Sequence, residues 1–109
     1  MAELDSERPA EIAIDTRFDP TGVAIVTVSG DLDISNAGKL EQAVASITAE
    51  RPEQLIFDLS GLRFMDSAGI AVLLDAAGKV NAVRLREPSH SVRRVVELTG
   101  LTGVLSIES

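Results

Sequence analysis

The chain has no cysteine, tryptophan or tyrosine, and its 109 residues include one histidine and three phenylalanines. Without cysteine there can be no disulfide framework, no thiolate nucleophile and no cysteine-ligated metal, so nothing in the chain requires an oxidising compartment. Since aromatic side chains are few, a core drawn from the 45% hydrophobic residues must be mainly aliphatic. Such a composition argues against a disordered chain.

Basic residues and long apolar runs are also scarce. Ten lysines and arginines face 17 acidic residues, for a net charge of -7, which argues against direct nucleic-acid binding and against an anionic membrane surface. The longest unbroken apolar run, Ile70 to Leu74, is far shorter than the ~20 residues of a membrane span. The N-terminus "MAELDSERPAE" is acidic where a signal peptide would be basic and then apolar. We therefore expect a cytoplasmic protein with a flexible leader, residues 1–10, and a single domain, residues 11–109.

The first half of the domain begins with a predicted hairpin. Ile12, Ile14 and Thr16 alternate with polar residues as in a half-buried strand, and a second strand is expected from Val23 to Ser29. Between them "DPTG", Asp19 to Gly22, has the residues of a type I turn. These two strands should pair in an antiparallel manner.

Three later segments are predicted to be helices. The first repeats apolar residues at i, i+4 and i+7, which are Leu40, Val44 and Ile47. The second, Ile70 to Ala77, has almost no polar residue and must be mostly buried, with Gly78 as its stop. The third begins after a potential N-cap, Ser89, and places on one stripe Val92, Val95, Val96 and Thr99.

Strands are expected between and after these helices. "QLIFDL", Gln54 to Leu59, is a continuous apolar run typical of a central strand buried on both faces, and a loop "SGLRFMD" should follow it. "AVRLR" alternates as a strand with one wet face, and Leu105 to Ile107 is a short closing strand. The order β-β-α-β-α-β-α-β predicts an α/β fold: a mixed sheet of four to five strands with an N-terminal antiparallel hairpin and about three helices packed on it.

Polar residues interrupt the apolar sequence at one point, "FMDSAGIAVLL", where Asp66 and Ser67 stand at the start of the buried helix. Asp and Ser are favoured N-cap residues, and a cap needs no further function. A serine exposed at the positive end of a helix dipole is also well placed for an added phosphate or an oxyanion. The two interpretations are compatible.

Two acids after the second strand, Asp31 and Asp33 in "GDLDISNAG", raise the possibility of a calcium loop or an aspartyl phosphotransfer site. A calcium loop counted from Asp31 needs Gly and Glu at its sixth and twelfth positions, where the chain has Asn36 and Gln42. A phosphotransferase would need a further acidic cluster and a larger fold. We expect no metal site and no cofactor.

A serine hydrolase is the enzymatic alternative for Ser67. The nucleophile would need a base, and the single histidine is His90, at the start of the last predicted helix. "DSAG" also departs from the G-x-S-x-G elbow. We expect no catalytic residue.

Three segments, "VSGDLDISNAGKLEQAV", "LIFDLSGLRFMDSAGIAVLL" and "REPSHSVRRVVELTGLTGVLSI", resemble in order the anti-sigma factor antagonists, single-domain members of the STAS superfamily. The resemblance covers nearly all of the chain after about residue 11 and implies a STAS-like fold. It further implies a protein that binds an anti-sigma factor with serine kinase activity and so releases a sigma factor. That kinase would phosphorylate Ser67, and a serine phosphatase would restore it.

The resemblance also implies which residues form the partner-binding site: Asp33, Asp66, Ser67, Ala68 and Gly69. Asp33 matches a family acid that lies near the phosphorylated serine. The stretch between "DSAG" and "EPS" is about four residues shorter than is usual, which affects the outer part of the expected partner surface. The alternative within the family is a STAS scaffold or small-molecule-sensing module that is never phosphorylated.

Overall fold

The computed structural model describes residues 11–108, and the predicted leader, residues 1–10, lies outside the described residues. The elements follow the predicted order. They are β1 (Ile12–Phe18), β2 (Ala24–Leu32), α1 (Ala37–Thr48), β3 (Gln54–Met65), α2 (Ser67–Ala77), β4 (Ala82–Arg86), α3 (His90–Leu98) and β5 (Leu105–Glu108). No helix within residues 11–108 is long and apolar enough to cross a membrane.

The five strands lie side by side in chain order in one mixed sheet. β1 pairs with β2 in an antiparallel manner, and the remaining neighbours are parallel, so each parallel pair of strands is connected through one of the three helices.

At the predicted turn between β1 and β2, the Gly22 amide donates to the Asp19 carbonyl at 3.0 Å. The Thr21 hydroxyl, together with the Val23 amide, lowers the pKa of the Asp19 carboxyl below its usual value. The predicted hairpin is confirmed.

The core lies between the sheet and the helices. β3 is the central strand, and its Leu55, Ile56 and Phe57 are all buried, which confirms the burial predicted from its apolar run. The buried residues of all three helices join one hydrophobic cluster with alternate residues of the strands, among them Leu55, Phe57 and Leu59. Within the described chain, the helices therefore pack on one face of the sheet.

The predicted loop after the central strand is wrong, because β3 continues to Met65 through the segment "SGLRF". β2 extends beside it, and tertiary pairing overrides the local preference of Ser60 and Gly61 for a turn. The ladder starts with Ala24 opposite Leu55 and ends with Leu32 opposite Met65, with register shifts between Thr27 and Ser29 and between Gly30 and Asp31. These bulges give β3 two residues more than β2 over the same length.

Two helix predictions also need correction. α2 begins at Ser67, three residues before the predicted start, and it exposes Ser67, Ala71 and Asp75 along one side, so it is less fully buried than its composition indicates. At the end of α3, Thr99 is the exposed C-cap residue and does not belong to the buried stripe of Val92 and Val96. In both cases the helix end is set by capping and not by the apolar repeat.

One glycine of β2 is required by its surroundings. Gly30 has φ +99°, and a Cβ placed on it would collide with the backbone carbonyl oxygen of Glu11, the residue just before β1. That oxygen also accepts a hydrogen bond from the Asp31 amide at 3.0 Å. Glycine is therefore required at the position where the second register shift between β2 and β3 occurs.

Gly30→Ala should be much less stable than Gly22→Ala. Both glycines have positive φ, +99° and +90°, so alanine at either site should cost about 1–2 kcal/mol for the left-handed backbone. A Cβ added to Gly22 would meet no neighbouring atom within 4 Å, whereas one added to Gly30 would collide with Glu11. Urea unfolding of both variants checks this, and equal losses of unfolding free energy would contradict it.

Candidate functional site

The carboxyl ends of β2 and β3 bring together the polar residues singled out in the sequence. Leu32 pairs with Met65 at the end of the ladder, and the Asp66 amide donates to the Leu32 carbonyl at 3.2 Å. Asp33 and Asp66 therefore leave adjacent parallel strands at the same edge of the sheet, with Ser67 directly after Asp66. Such an edge is where open α/β sheets place their ligands.

Asp66 caps α2 and leaves Ser67 free of that task. One Asp66 carboxylate oxygen accepts hydrogen bonds from the amides of Ala68, at 2.9 Å, and Gly69, at 3.4 Å. Ser67 is the first residue of α2 and its side chain is exposed, while Asp66 and Ala68 are half-buried. The capping interpretation thus applies to Asp66, and the hydroxyl of Ser67 faces solvent at the helix N-terminus.

Gly69 lies on the inner side of the same helical turn. It is buried, and a Cβ added to it would lie 2.8 Å from Leu32 Cδ2 and 2.5 Å from Met65 Cγ. Glycine here lets the first turn of α2 rest directly on the ends of β2 and β3. A Cβ at this position would point toward the core, so Gly69 contributes to the site by allowing this close packing and not by exposing a contact group.

The loop that carries Asp33 is fixed by an asparagine whose role was not predicted from the sequence. The Asn36 side chain is 3% exposed; its oxygen accepts from the Asp33 amide at 3.0 Å and its nitrogen donates to the Asp31 carbonyl at 2.8 Å. Asp33 in turn accepts from the amide and the hydroxyl of Ser35, at 2.8 and 2.6 Å. The loop is therefore tied at both ends.

Asn36 also stands at the N-cap position of α1, yet its side chain makes no capping hydrogen bond to that helix. Asparagine is a favoured N-cap residue, so the sequence could have predicted that Asn36 stands at the start of α1. It could not have predicted the hydrogen bonds of its side chain to Asp31 and Asp33. Those bonds depend on the path of the chain after β2.

A groove of about 460 Å³ lies between α1 and α2, next to this edge. Ala37, Gly38 and Glu41 line it from α1, and Ala68, Ala71 and Asp75 line it from α2. Ile34, from the loop before α1, stands at its border with a side chain 84% exposed. The groove was not predicted from the sequence, although the small residues at the starts of both helices were a visible signal.

The segment between Gly69 and Pro88, for which the resemblance implies a shorter length than usual, includes the part of α2 that lines this groove. It contains most of α2, a four-residue connection, and β4. Ala71 and Asp75 lie within the helix, whereas the connection starts at Gly78, which is the C-cap. The α2 residues that line the groove therefore all precede the connection that begins at Gly78.

Ser67 and His90, the two residues considered for a hydrolase, begin different helices, α2 and α3. No hydrogen bond joins Ser67 to His90, which begins α3, within residues 11–108. The same part of the chain contains no group of three or more His, Cys, Asp or Glu side chains arranged to hold a metal ion. What the arrangement provides is an exposed Ser67 at the sheet edge that also carries Asp33 and Asp66, beside a groove lined mainly by small and apolar residues.

Asn36→Ala should lower the free energy of unfolding by about 1–3 kcal/mol, because it leaves the amide of half-buried Asp33 and the carbonyl of half-buried Asp31 without these hydrogen bonds from Asn36. Asn81→Ala is the matched control: Asn81 is exposed and donates to Glu53 at 3.0 Å, and its loss should change stability by no more than about 0.5 kcal/mol. Chemical denaturation of both variants measures the difference. Equal effects would show that the loop does not depend on Asn36.

Comparisons with known proteins agree with this architecture. The family model of the STAS domain matches residues 14–109. The chain is 32% identical over 89 residues to the anti-sigma-F factor antagonist RsfB of Mycobacterium tuberculosis, and the alignment covers 79% of this chain and 73% of RsfB. The crystal structure of an anti-sigma factor antagonist from Mycobacterium paratuberculosis matches with a TM-score of 0.82 at 31% identity, over 89% of this chain and 85% of that one.

A more distant protein shares the fold. The anti-sigma factor antagonist SpoIIAA in its unphosphorylated form matches with a TM-score of 0.76 at 20% identity, over 89% of each chain. SpoIIAA of Bacillus in its phosphorylated form matches with a TM-score of 0.69 at 19% identity, over 89% of this chain and 92% of that one. The mixed five-stranded sheet, the three helices and the family match over residues 14–109 together show that the chain belongs to the STAS domain family.

Proposed function

We propose that the chain is a cytoplasmic anti-sigma factor antagonist whose binding is switched off by phosphorylation of Ser67. Its partner is an anti-sigma factor with serine kinase activity, whose capture releases a sigma factor, and a serine phosphatase reverses the modification. The single observation that carries the proposal is the exposed Ser67 hydroxyl at the first position of α2, directly after the capping Asp66. The protein acts as a binding module and as a kinase substrate.

A phosphate on Ser67 is compatible with the fold. Because Asp66 already accepts from the Ala68 and Gly69 amides, the phosphate does not have to replace the cap of α2. It lies at the positive end of the helix dipole, where negative charge is favoured. On an exposed side chain, water screens its repulsion from Asp33 and Asp66.

A docked partner changes that electrostatic environment. Phosphorylation adds about -1.5 to -2 charges, next to two carboxylates. When a partner covers the site and excludes water, like charges brought together cost several kcal/mol, and about 2.8 kcal/mol changes affinity a hundredfold. The unmodified serine leaves the site able to bind. The domain can therefore switch without refolding.

The relatives support this assignment. RsfB and the Mycobacterium paratuberculosis protein are both named as anti-sigma factor antagonists, at 32% and 31% identity. SpoIIAA, whose fold the chain shares, is known in both phosphorylated and unphosphorylated forms. In our proposal Asp33, Asp66, Ser67 and Ala68 contact the partner, and Gly69 positions them from the interior.

The second candidate is a STAS module that senses a small molecule and is never phosphorylated, which the groove of about 460 Å³ favours. Intact mass separates the two functions. Incubation with the purified partner kinase and ATP adds one phosphate to the wild type and none to Ser67→Ala if the switch operates. A wild-type mass that stays unchanged favours the sensing module.

Ser67→Ala should bind the anti-sigma factor with nearly wild-type affinity, while Ser67→Asp and the phosphorylated protein should bind at least about tenfold more weakly, a loss of about 1.4 kcal/mol. The partner can be obtained by capture from native cells on Ser67→Ala, followed by identification and recombinant production. Titration calorimetry then gives the affinities.

The matched control is Ser46→Asp, which places the same charge on an exposed serine of α1 that lies beside Thr16 and Phe18, at the opposite end of the sheet. Its affinity should equal that of the wild type. Equal affinities for wild type, Ser67→Asp and the phosphoprotein would rule out the switch.

Phosphorylation should also leave the fold nearly unchanged. Amide NMR spectra of the phosphorylated and unmodified proteins should superimpose except near residues 31–36 and 64–72, and their stabilities should agree within about 1 kcal/mol. Chemical-shift changes spread through α3, His90–Leu98, would mean that the phosphate drives a global rearrangement. That outcome would show that repulsion at the interface is the wrong mechanism and that phosphorylation acts through a change of conformation.

A further inference from the structure

We propose that the groove between α1 and α2 selects the partner by charge: it receives a bulky apolar side chain from a basic segment of the anti-sigma factor. Glu41 and Asp75, one on each wall, are the specificity-determining residues. This inference rests on the proposed function and names the chemistry of its partner.

The groove is open because small residues line it. Four of the residues that line it carry a methyl group or a hydrogen as their side chain: Ala37 and Gly38 on α1, and Ala68 and Ala71 on α2. Ala37 and Val72, at 8% and 4% exposure, form an apolar floor. The space of about 460 Å³ can therefore accept an apolar side chain from outside.

An exposed apolar residue stands at the border of the groove. Ile34 is 84% exposed, the highest value among the large hydrophobic residues exposed in the described chain. It follows Asp33 in the loop that Asn36 holds by hydrogen bonds to Asp31 and Asp33. Together with the apolar lining of the groove, Ile34 forms an exposed apolar patch of the kind found at protein-protein contacts.

The charges around the groove determine which kind of segment fits. Glu41 and Asp75 are exposed on opposite walls, and Asp33 and Asp66 lie at the adjoining edge of the sheet. Asp75 pairs with Lys79 at 3.1 Å, but its side chain remains 60% exposed and the pair is a surface one. A partner segment with arginine or lysine flanking its apolar residue complements these acids, and an acidic segment is repelled.

The same charges disfavour a second copy of this chain as the occupant. In a symmetric dimer built on this face, the acidic rim of one copy would meet the acidic rim of the other. Each chain also carries a net charge of -7. A basic segment of another protein is therefore the occupant that the groove fits.

The test measures binding of the purified anti-sigma factor to unphosphorylated protein. Glu41→Lys combined with Asp75→Lys should weaken binding at least tenfold, and the remaining affinity should depend less on salt than that of the wild type. Glu97→Lys with Glu50→Lys is the matched control, since both are exposed acids and neither lines the groove. The control should bind as the wild type does at moderate salt.

A second variant tests the apolar part independently. Ala71→Phe fills the groove from the exposed side of α2, where the substitution has room, and should weaken binding at least tenfold while the thermal midpoint stays near that of the wild type. Ile34→Ala should weaken binding to a smaller extent, because it removes one contact and leaves the groove open.

The outcomes separate this inference from the proposed switch. If Ser67→Asp abolishes binding but the double lysine variant and Ala71→Phe bind normally, the switch stands and the groove inference is wrong. If the lysine variant and Ala71→Phe lose binding while Ser67→Asp does not, the groove inference is supported and the switch is wrong. A wild-type dimer that Ala71→Phe converts to monomers would identify a second copy as the occupant and overturn the inference.

Discussion

The pairing of β2 and β3 at their carboxyl ends is the constraint on which the site depends. The hydrogen bond from the Asp66 amide to the Leu32 carbonyl fixes where both strands stop. The two register shifts make this possible. If the register of Ala24 opposite Leu55 continued without shifts, Leu32 would lie opposite Arg63, and Asp66 would start α2 beyond the end of β2. Gly30, whose backbone permits the second shift, is therefore as important for the site as the residues on its surface.

Asp66 and Ser67 have different roles at the start of α2, because Asp66 caps the helix and Ser67 does not. A serine that capped the helix would have its hydroxyl committed to backbone amides, and its modification would remove a cap. Because Asp66 supplies that bond, the Ser67 hydroxyl has no capping role and can be modified at little cost to the helix. Gly69 completes the arrangement from the core side, since a Cβ there would lie too close to the Leu32 and Met65 side chains, and either the helix or these side chains would have to shift.

Much of this could be predicted from the sequence, and the failures have physical causes. Apolar periodicity located the first and third helices, continuous apolar runs located the second helix and the central strand, and residue types located the hairpin turn and the acid-serine corner. The loop assigned to "SGLRF" was wrong because its extended form depends on pairing with β2, which no local pattern contains. The buried bonds of Asn36 and the groove between α1 and α2 were missed for the same reason: both depend on how separate segments meet.

In the function that we propose, this small aliphatic domain responds to a signal by a change of surface charge and not by a change of shape. Its core is continuous from the sheet to all three helices, so a rearrangement of one helix would disturb the packing of the others. The loop carrying Asp33 and the first turn of α2 are both tied by hydrogen bonds to the backbone. In the proposed switch, charge added at Ser67 alters what can dock, because the acidic groups are already present beside it. The hydrogen bonds that hold the loop and the helix turn would then confine the effect of the modification to the interface.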